Sequence, residues 1–248
     1  MIDISANISV VIPVFNAENS LEELYKRLIE VLADLTEEFE IIMVDDNSTD
    51  NSYQKMLKLY KKDSRLKIIK LADNFGQQNA VSCGFNYVSG DYAVTMDDDL
   101  QHSPADIENI YCKAKEGYDL VYAVPQNREY SLFRKIGSKL TNQLFNLITD
   151  KAQDIRISSF RIIKKELLDK IEDDEYAFVY ISVLLLKNTE KPLSINVSHY
   201  DRRYGKSNYS FKKLVKLFLK LYIYYGKLPL LELFRKKGSK YIIEEKRL

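Results

Sequence analysis

Glycine is scarce in this chain, and the glycines at 76, 84, 90, 117, 137, 205, 226 and 238 never come closer than six residues apart. Neither GxGxxG nor GxxxxGK can be written with that spacing, so the glycine cradles of dinucleotide-binding and P-loop sites are excluded. Any phosphate bound here must be neutralised by other means. Cysteine is scarcer still: Cys83 and Cys112 make no CxxC or metal-ligand spacing and are too few for a disulfide scaffold, which suits a reducing, cytoplasmic setting. Long apolar runs are absent as well. The longest, YAFVYISVLLL from Tyr176, has 11 residues between Glu175 and Lys187, too few to span a bilayer, and is read as a buried helix. The N-terminal stretch MIDISANISVVIPVF has neither the basic region nor the apolar length of a signal peptide.

What is present is a globular composition, 46% hydrophobic and 29% charged over 248 residues, long enough for a large α/β core. The net charge of +1 hides an asymmetry. Residues 206–248 hold 12 Lys and Arg against 3 Glu, a surplus of 9, so residues 1–205 carry −8. A basic tail on an acidic body implies an anionic partner for the tail. Nothing else on the acidic body supports nucleic acid as that partner.

Runs rich in β-branched residues alternate with helical periods. ISVVIPV (8–14), EIIMVDD (40–46), LKIIKLA (66–72), GDYAVTMD (90–97) and YDLVYAV (118–124) read as strands. Between them lie helices at 20–35, after STDNS with Ser48, Thr49 or Asp50 as cap, at 77–89 and at 104–116. Continuous apolar strands with helical crossovers imply a parallel sheet covered on both faces. Further on, RISSFRII reads as a strand, KKELLDKI and 176–188 as helices, PLSINVSHY as a strand, and the remainder as helical and basic. Ligands of such sheets sit at the carboxyl ends of the strands, here Pro13 to Asn16, Asp45 to Asn47 and Asp97 to Gln101.

The last cluster, VTMDDDLQHSP, puts three carboxylates side by side. Alternate side chains of an extended segment share a face, so Asp97 and Asp99 point one way and Asp98 the other. Hard oxygen ligands of this kind select Mg²⁺ or Mn²⁺ and leave sites for diphosphate oxygens and water. The plain alternative is a solvated acidic turn at the start of helix 104–116, with His102 as a helix-start residue.

IPVFNAE, IIMVDDNSTDNS, NFGQQNAVSCGFNYVSGDYAVTMDDDLQHSP, SSFRIIKKELL and DRRYGKSNYS occur in that order. Together they resemble the family 2 glycosyltransferases of GT-A fold, most closely the branch with dolichol-phosphate mannosyltransferase and bacterial polyprenyl-phosphate sugar transferases, over roughly residues 8–235. The resemblance implies a Rossmann-like GT-A domain, 1–205, with a nucleotide-sugar half (1–103) and an acceptor half (104–205), followed by a basic amphipathic helical tail (206–248). It implies that Pro13 and Phe15 pack against the nucleotide base, with Glu18 in the same loop, and that Asp46 hydrogen-bonds the base, with Asn74, Gly76 and Gln78 in the loop before the nucleotide-binding helix; the plain alternative for Phe15 is a core aromatic at a strand end. Gln77 stands where many relatives carry Lys. Asp97, Asp99 and Gln101 match the DxDxQ that holds metal and diphosphate, and Asp98 falls at the variable position, where alanine should be tolerated. On the acceptor side, Arg128 and Ser138 match positions that relatives use near the acceptor phosphate, Arg134 or Lys135 lies in the same basic segment, Ser159 falls on the acceptor side as well, and Arg202, Gly205, Ser207 and Tyr209 match RxxGxSKY, whose Arg reaches phosphate.

Three departures stand out: Pro125 for an Arg, Asn208 for the Lys of SKY, and Ser159 where many bacterial relatives carry Asp. The reaction implied by the resemblance is inverting transfer from a nucleotide diphosphate sugar, with Asp97, Asp99 and Arg202 catalytic. A polyprenyl phosphate acceptor, a sugar hydroxyl of a surface glycan, and a weakened nucleotide-sugar-binding protein stay open. A phosphate needs no base, whereas a hydroxyl does, and Asp154, Asp173, Asp174 and Glu175 are the candidate bases. Lys212, Lys216 and Lys220 form a basic stripe beside an apolar face, which suits a peripheral position on the cytoplasmic face of a membrane. Relatives continue into transmembrane helices, so peripheral attachment or a membrane partner subunit would have to serve here.

Overall fold

A computed structural model describes residues 6–126, 155–171, 176–197, 211–226 and 229–248. Its centre is an eight-stranded sheet in the order β7-β5-β6-β4-β1-β2-β3-β8. The strands are β1 (Ile8–Val14), β2 (Phe39–Asp45), β3 (Leu66–Leu71), β4 (Tyr92–Thr95), β5 (Leu120–Pro125), β6 (Arg161–Lys164), β7 (Pro192–Val197) and β8 (Ile243–Arg247). β1 to β4 are mutually parallel, and β5 and β7 share their direction; only β6, between β4 and β5, and β8, on the β3 edge, run the other way. The expected mostly parallel α/β sheet is therefore observed.

Helices cover both faces: α1 (Leu21–Leu35), α2 (Ser52–Tyr60) and α4 (Asp106–Lys115) on one, α3 (Gln77–Phe85), α5 (Lys165–Leu168), α6 (Ile181–Asn188) and α7 (Phe211–Tyr225) on the other. Strand β1 shows why: Ile8, Val10, Ile12 and Val14 join one core and Val11 the other, so all seven of its residues are buried. In α1 the buried residues Leu21, Leu24, Leu28, Leu32 and Leu35 form one stripe, each leucine contributing about 1.5–3 kcal/mol on burial. Glu22 and Glu23 in its first turn complement the helix dipole. The helix after STDNS starts at Ser52, whose N–H and hydroxyl donate to Asp50 Oδ1 at 2.9 and 2.5 Å. α3 lies so close to the sheet that a Cβ on Gly84 would sit 2.4 Å from Val11 Cγ1.

β1 follows the chain to β2 and β3 on one side, and the chain then returns to place β4 on the other side of β1. That reversal is a topological switch point, where the carboxyl ends of β1 and β4 part to make a crevice.

Two expectations need correction. The segment 176–188 is helical only from Ile181: Tyr176 instead bridges Lys237, Ala177 N–H donates to Lys236 at 3.2 Å, and the Gln78 carboxamide accepts from Ile181 N–H at the helix start. The tail is not helical throughout either. After α7 and a 3₁₀ turn, Pro229–Phe234, it ends as β8, whose backbone completes the otherwise open β3 edge, with Lys70 bridging Glu244 at 2.8 Å.

Candidate active site

Three strand-end loops meet at the switch point. The β1–α1 and β2–α2 loops are laced together: Asn16 N–H donates to Ser48 Oγ (3.0 Å), Ala17 N–H to Ser52 Oγ (2.8 Å) and Thr49 N–H to Asn16 Oδ1 (2.8 Å). Glu18 joins the same seam, its Oε2 accepting from Asn51 N–H at 3.1 Å and Nδ2 at 2.9 Å. Asn16 and Asn47 turn the two loops at φ 54° and 58°, a region asparagine tolerates. Pro13 is buried beneath, level with Val44 of β2, while the Phe15 side chain stays 46% exposed at the rim.

Asp46, 3% exposed, reaches from the end of β2 to the loop before α3, with Oδ1 accepting from Phe75 N–H and Oδ2 from Gly76 N–H, both at 2.8 Å. Burial raises its pKa, against the lowering effect of those two donors. Both carboxylate oxygens are thus engaged in shaping the loop that carries Asn74, which is exposed, and Gly76, which sits at φ 88°, ψ 155°. Gln78 faces α6 through its bond to Ile181 and so braces that helix. Asp45, at the same strand end as Asp46, is buried beside it: Oδ2 accepts from Ser48 N–H at 3.2 Å, Oδ1 has no hydrogen-bond partner, and burial raises its pKa.

β4 ends at Thr95 and the chain bends from Asp98 onward, so strand alternation does not reach the three aspartates, which take different partners. Asp97 points to the α3 side, where Oδ1 accepts from Gln77 Nε2 at 2.5 Å and Oδ2 from Ser159 Oγ at 2.7 Å. Ser159 is itself fixed, its carbonyl accepting from Thr95 Oγ1 at 2.6 Å. Asp99 turns back on its own loop, with Oδ1 accepting from Gln101 N–H at 3.1 Å. Between them Leu100 holds φ 59° while buried, a conformation that costs a leucine about 1–3 kcal/mol and marks a loop shape imposed by its surroundings. His102 is buried against Phe160, ring centroids 5.2 Å apart, which agrees with a packing role.

Asp98 is not a spare carboxylate, and this revises the expectation drawn from its variable position. Its Oδ2 accepts from Phe15 N–H at 3.0 Å, tying the end of β4 to the end of β1 across the switch point. Burial pushes its pKa up to about 7, and the adjacent charges of Asp97 and Asp99 add to the rise. A long-range contact of this kind leaves no trace in local spacing.

Among the described residues, no three His, Cys, Asp or Glu side chains converge as a ready-made metal cage. Two carboxylates and an amide on one loop nonetheless fit Mg²⁺ or Mn²⁺, which bind through one or two protein carboxylates and complete their shell with substrate phosphates and water. Arg128, Arg134, Ser138, Arg202 and Ser207 lie outside the described residues, as do the candidate bases Asp154, Asp173, Asp174 and Glu175. Gln77, Thr95 and the Asn16–Ser48–Thr49 seam are contributors not foreseen; the asparagines at two strand ends were the signal that could have found the seam.

With the geometry in place, the chain can be set beside known proteins. It is similar in fold to S. aureus TarS 1–349 solved in complex with UDP-GlcNAc, at 20% identity and TM-score 0.59, covering 90% of this chain and 68% of that one. Against the longer structure of S. aureus TarS the chain spans 40% of the length, at 18% identity and TM-score 0.58 over 90% of its own residues. Glucosyl-3-phosphoglycerate synthase from Mycobacterium tuberculosis, in complex with Mn²⁺, UDP and phosphoglyceric acid, matches at 16% identity and TM-score 0.65, over 98% of this chain and 89% of that one. The family described as glycosyl transferase family 2 matches residues 9–172, well over half of the sequence and all three strand-end loops of the site. The chain belongs to glycosyl transferase family 2.

Proposed function

We propose that this chain transfers a sugar from a nucleotide diphosphate sugar to a polyprenyl phosphate, the reaction of the dolichol-phosphate mannosyltransferase and bacterial polyprenyl-phosphate branch that its motifs resemble. The donor lies in the β1–β4 crevice. Phe15 offers an exposed aromatic face to the base, and Asp46 supports the base-side loop through Phe75 and Gly76. Asp97, Asp99 and Gln101 hold Mg²⁺ or Mn²⁺, which when bound supplies Lewis-acid stabilisation of charge on the departing diphosphate. Gln77 and Ser159 each hold one oxygen of the Asp97 carboxylate in place.

The acceptor assignment is carried by Ser159. A sugar hydroxyl attacking the anomeric carbon must give up a proton to a positioned base. A phosphomonoester, with a second pKa of about 6, is already largely dianionic at neutral pH and needs none. Position 159 offers a hydroxyl that donates to Asp97, a group unable to take a proton, and this supports a phosphate nucleophile. Arg128, Arg134, Ser138, Arg202 and Ser207 are assigned to the acceptor phosphate, for which the forked, permanently charged guanidinium is well suited. The enzyme then works peripherally at the cytoplasmic face of a membrane, where such acceptors reside; among the described residues no helix is long and apolar enough to cross one.

Isotopic sugar transfer tests this reading. Nucleotide sugars would be offered with Mn²⁺, uridine diphosphate sugars first because TarS 1–349 and glucosyl-3-phosphoglycerate synthase were each solved with a uridine nucleotide, together with polyprenyl phosphate and with saccharides. Label entering the organic phase supports the lipid phosphate. Label found only in saccharides assigns the chain to hydroxyl acceptors, and tight nucleotide binding without transfer makes it a binding protein.

A further inference from the structure

α7 is amphipathic in a way the fold uses only in part. Leu221 and Tyr225 are buried in the core beneath it, with Leu217 and Tyr224 packed beside them. An adjoining stripe, Val215, Phe218 and Leu219 at helical spacing, stays exposed, Leu219 by 55%. The 3₁₀ turn beyond it adds Leu233 at 82% and Phe234 at 68% exposure. This turn is not a loose end: Arg235 donates from Nε to Ile223 O at 3.0 Å and from Nη2 to Gly226 O at 3.1 Å, and Lys236 N–H donates to Tyr224 Oη at 3.1 Å. Large apolar side chains grouped on a braced backbone mark an interaction surface.

The surrounding charge says which partner. Between Phe211 and Lys237 the sequence has eight lysines and arginines and one acid, Glu232. Lys216 and Lys220, one turn apart, and Lys236 and Lys237 beyond the turn are exposed. A bilayer containing anionic lipids supplies both halves of the complement at once: phosphates for the ammonium groups, and an acyl boundary for the apolar side chains. We infer that the outer face of α7 and the Leu233–Phe234 turn form a docking surface for an anionic lipid bilayer, with Leu233 and Phe234 as the inserted residues.

The inference deepens the lipid-phosphate reading by naming the surface that brings the site to its acceptor, but it is tested without that acceptor. The full chain would be floated with vesicles of phosphatidylcholine alone and of phosphatidylcholine with phosphatidylglycerol, neither containing polyprenyl phosphate. Binding to the anionic vesicles is expected, weakened by salt and reduced about tenfold or more by Phe234→Asp and by the milder Leu233→Ser. Lys216→Glu with Lys220→Glu should reduce it as well, while the thermal shift given by a nucleotide stays at its wild-type value in all of these variants. Failure to bind, equal binding to neutral vesicles, or variants that bind like wild type would each overturn the inference. So would a concentration-dependent dimer dispersed by Phe234→Asp, which would give the surface to a second copy. A chain that docks yet transfers sugar only to saccharides would leave the docking surface standing and remove the acceptor assignment.

Discussion

The Ser159 hydroxyl donates to Oδ2 of Asp97 at 2.7 Å, joining the chain just before β6 to the end of β4 across 62 residues. Because Gln77 donates to the other oxygen, each oxygen of the carboxylate is held by a neutral group. Removing one of them should loosen the grip without unfolding the sheet. Ser159→Ala is expected to cost about 1 kcal/mol of metal-dependent nucleotide affinity, roughly fivefold in Kd by calorimetry. Ser159→Asp would set two carboxylates against each other and weaken binding further; unchanged affinity in both variants would remove Ser159 from the site.

Asp98 separates two roles that a carboxylate can play. If its task is to accept from Phe15 N–H, Asp98→Asn should keep nucleotide binding, since an amide oxygen accepts as well and the like-charge repulsion with Asp97 and Asp99 disappears. Asp98→Ala should weaken binding several-fold, about 1 kcal/mol, by releasing the loop that carries Phe15. Equal loss in both variants would instead make the charge itself the active feature.

Gly76 isolates a backbone effect. At φ 88°, ψ 155° it occupies a region reserved almost entirely for glycine, yet a Cβ there would meet no atom within 4 Å. Gly76→Ala should therefore destabilise the protein by about 1–3 kcal/mol through strain alone. Asp46→Ala removes the acceptor from both the Phe75 and Gly76 amides and should cost about 2–3 kcal/mol in denaturant unfolding, with nucleotide affinity falling alongside.

Acid sensitivity has a source remote from the site. Asp63 accepts from Arg65 Nε and Nη2 at 2.9 and 2.7 Å and from Tyr25 Oη at 2.5 Å, and the Arg65 bonds hold its carboxyl well below the usual range. A lowered native pKa means the unfolded chain binds the proton more readily, so this stabilisation is present above the unfolded value of about 4 and is lost as pH falls below it. The Tm advantage of wild type over Asp63→Asn should be level near neutrality and shrink steadily below about pH 4; an advantage that grows on acidification would contradict the assignment.

These residues also show what local sequence can reveal. The β-branched runs at 8–14, 40–46 and 66–72 and the leucine stripe of α1 carry their period with them, so the sheet and its rim are readable; the facing of the three aspartates is not, because the strand ends at Thr95 and the chain bends after it. The contacts that make the rim a site were not. Asp98 meets Phe15 across 83 residues, Asp46 meets Phe75 across 29, and Gln78 meets Ile181 across 103, distances over which no spacing rule operates. β8 was missed for a related reason: IEEKR has the charge of a solvated tail and becomes a strand only because β3 presents an edge for it to pair with.

The most direct test of the central claim, that the DxD rim holds a nucleotide diphosphate through a divalent ion, is a thermal-shift measurement with UDP, GDP, dTDP and CMP, each with and without Mn²⁺, on wild type and Asp99→Ala. Stabilisation by one diphosphate that requires the metal and disappears in Asp99→Ala is expected. Stabilisation that is equal without metal, or equal in the variant, would contradict it.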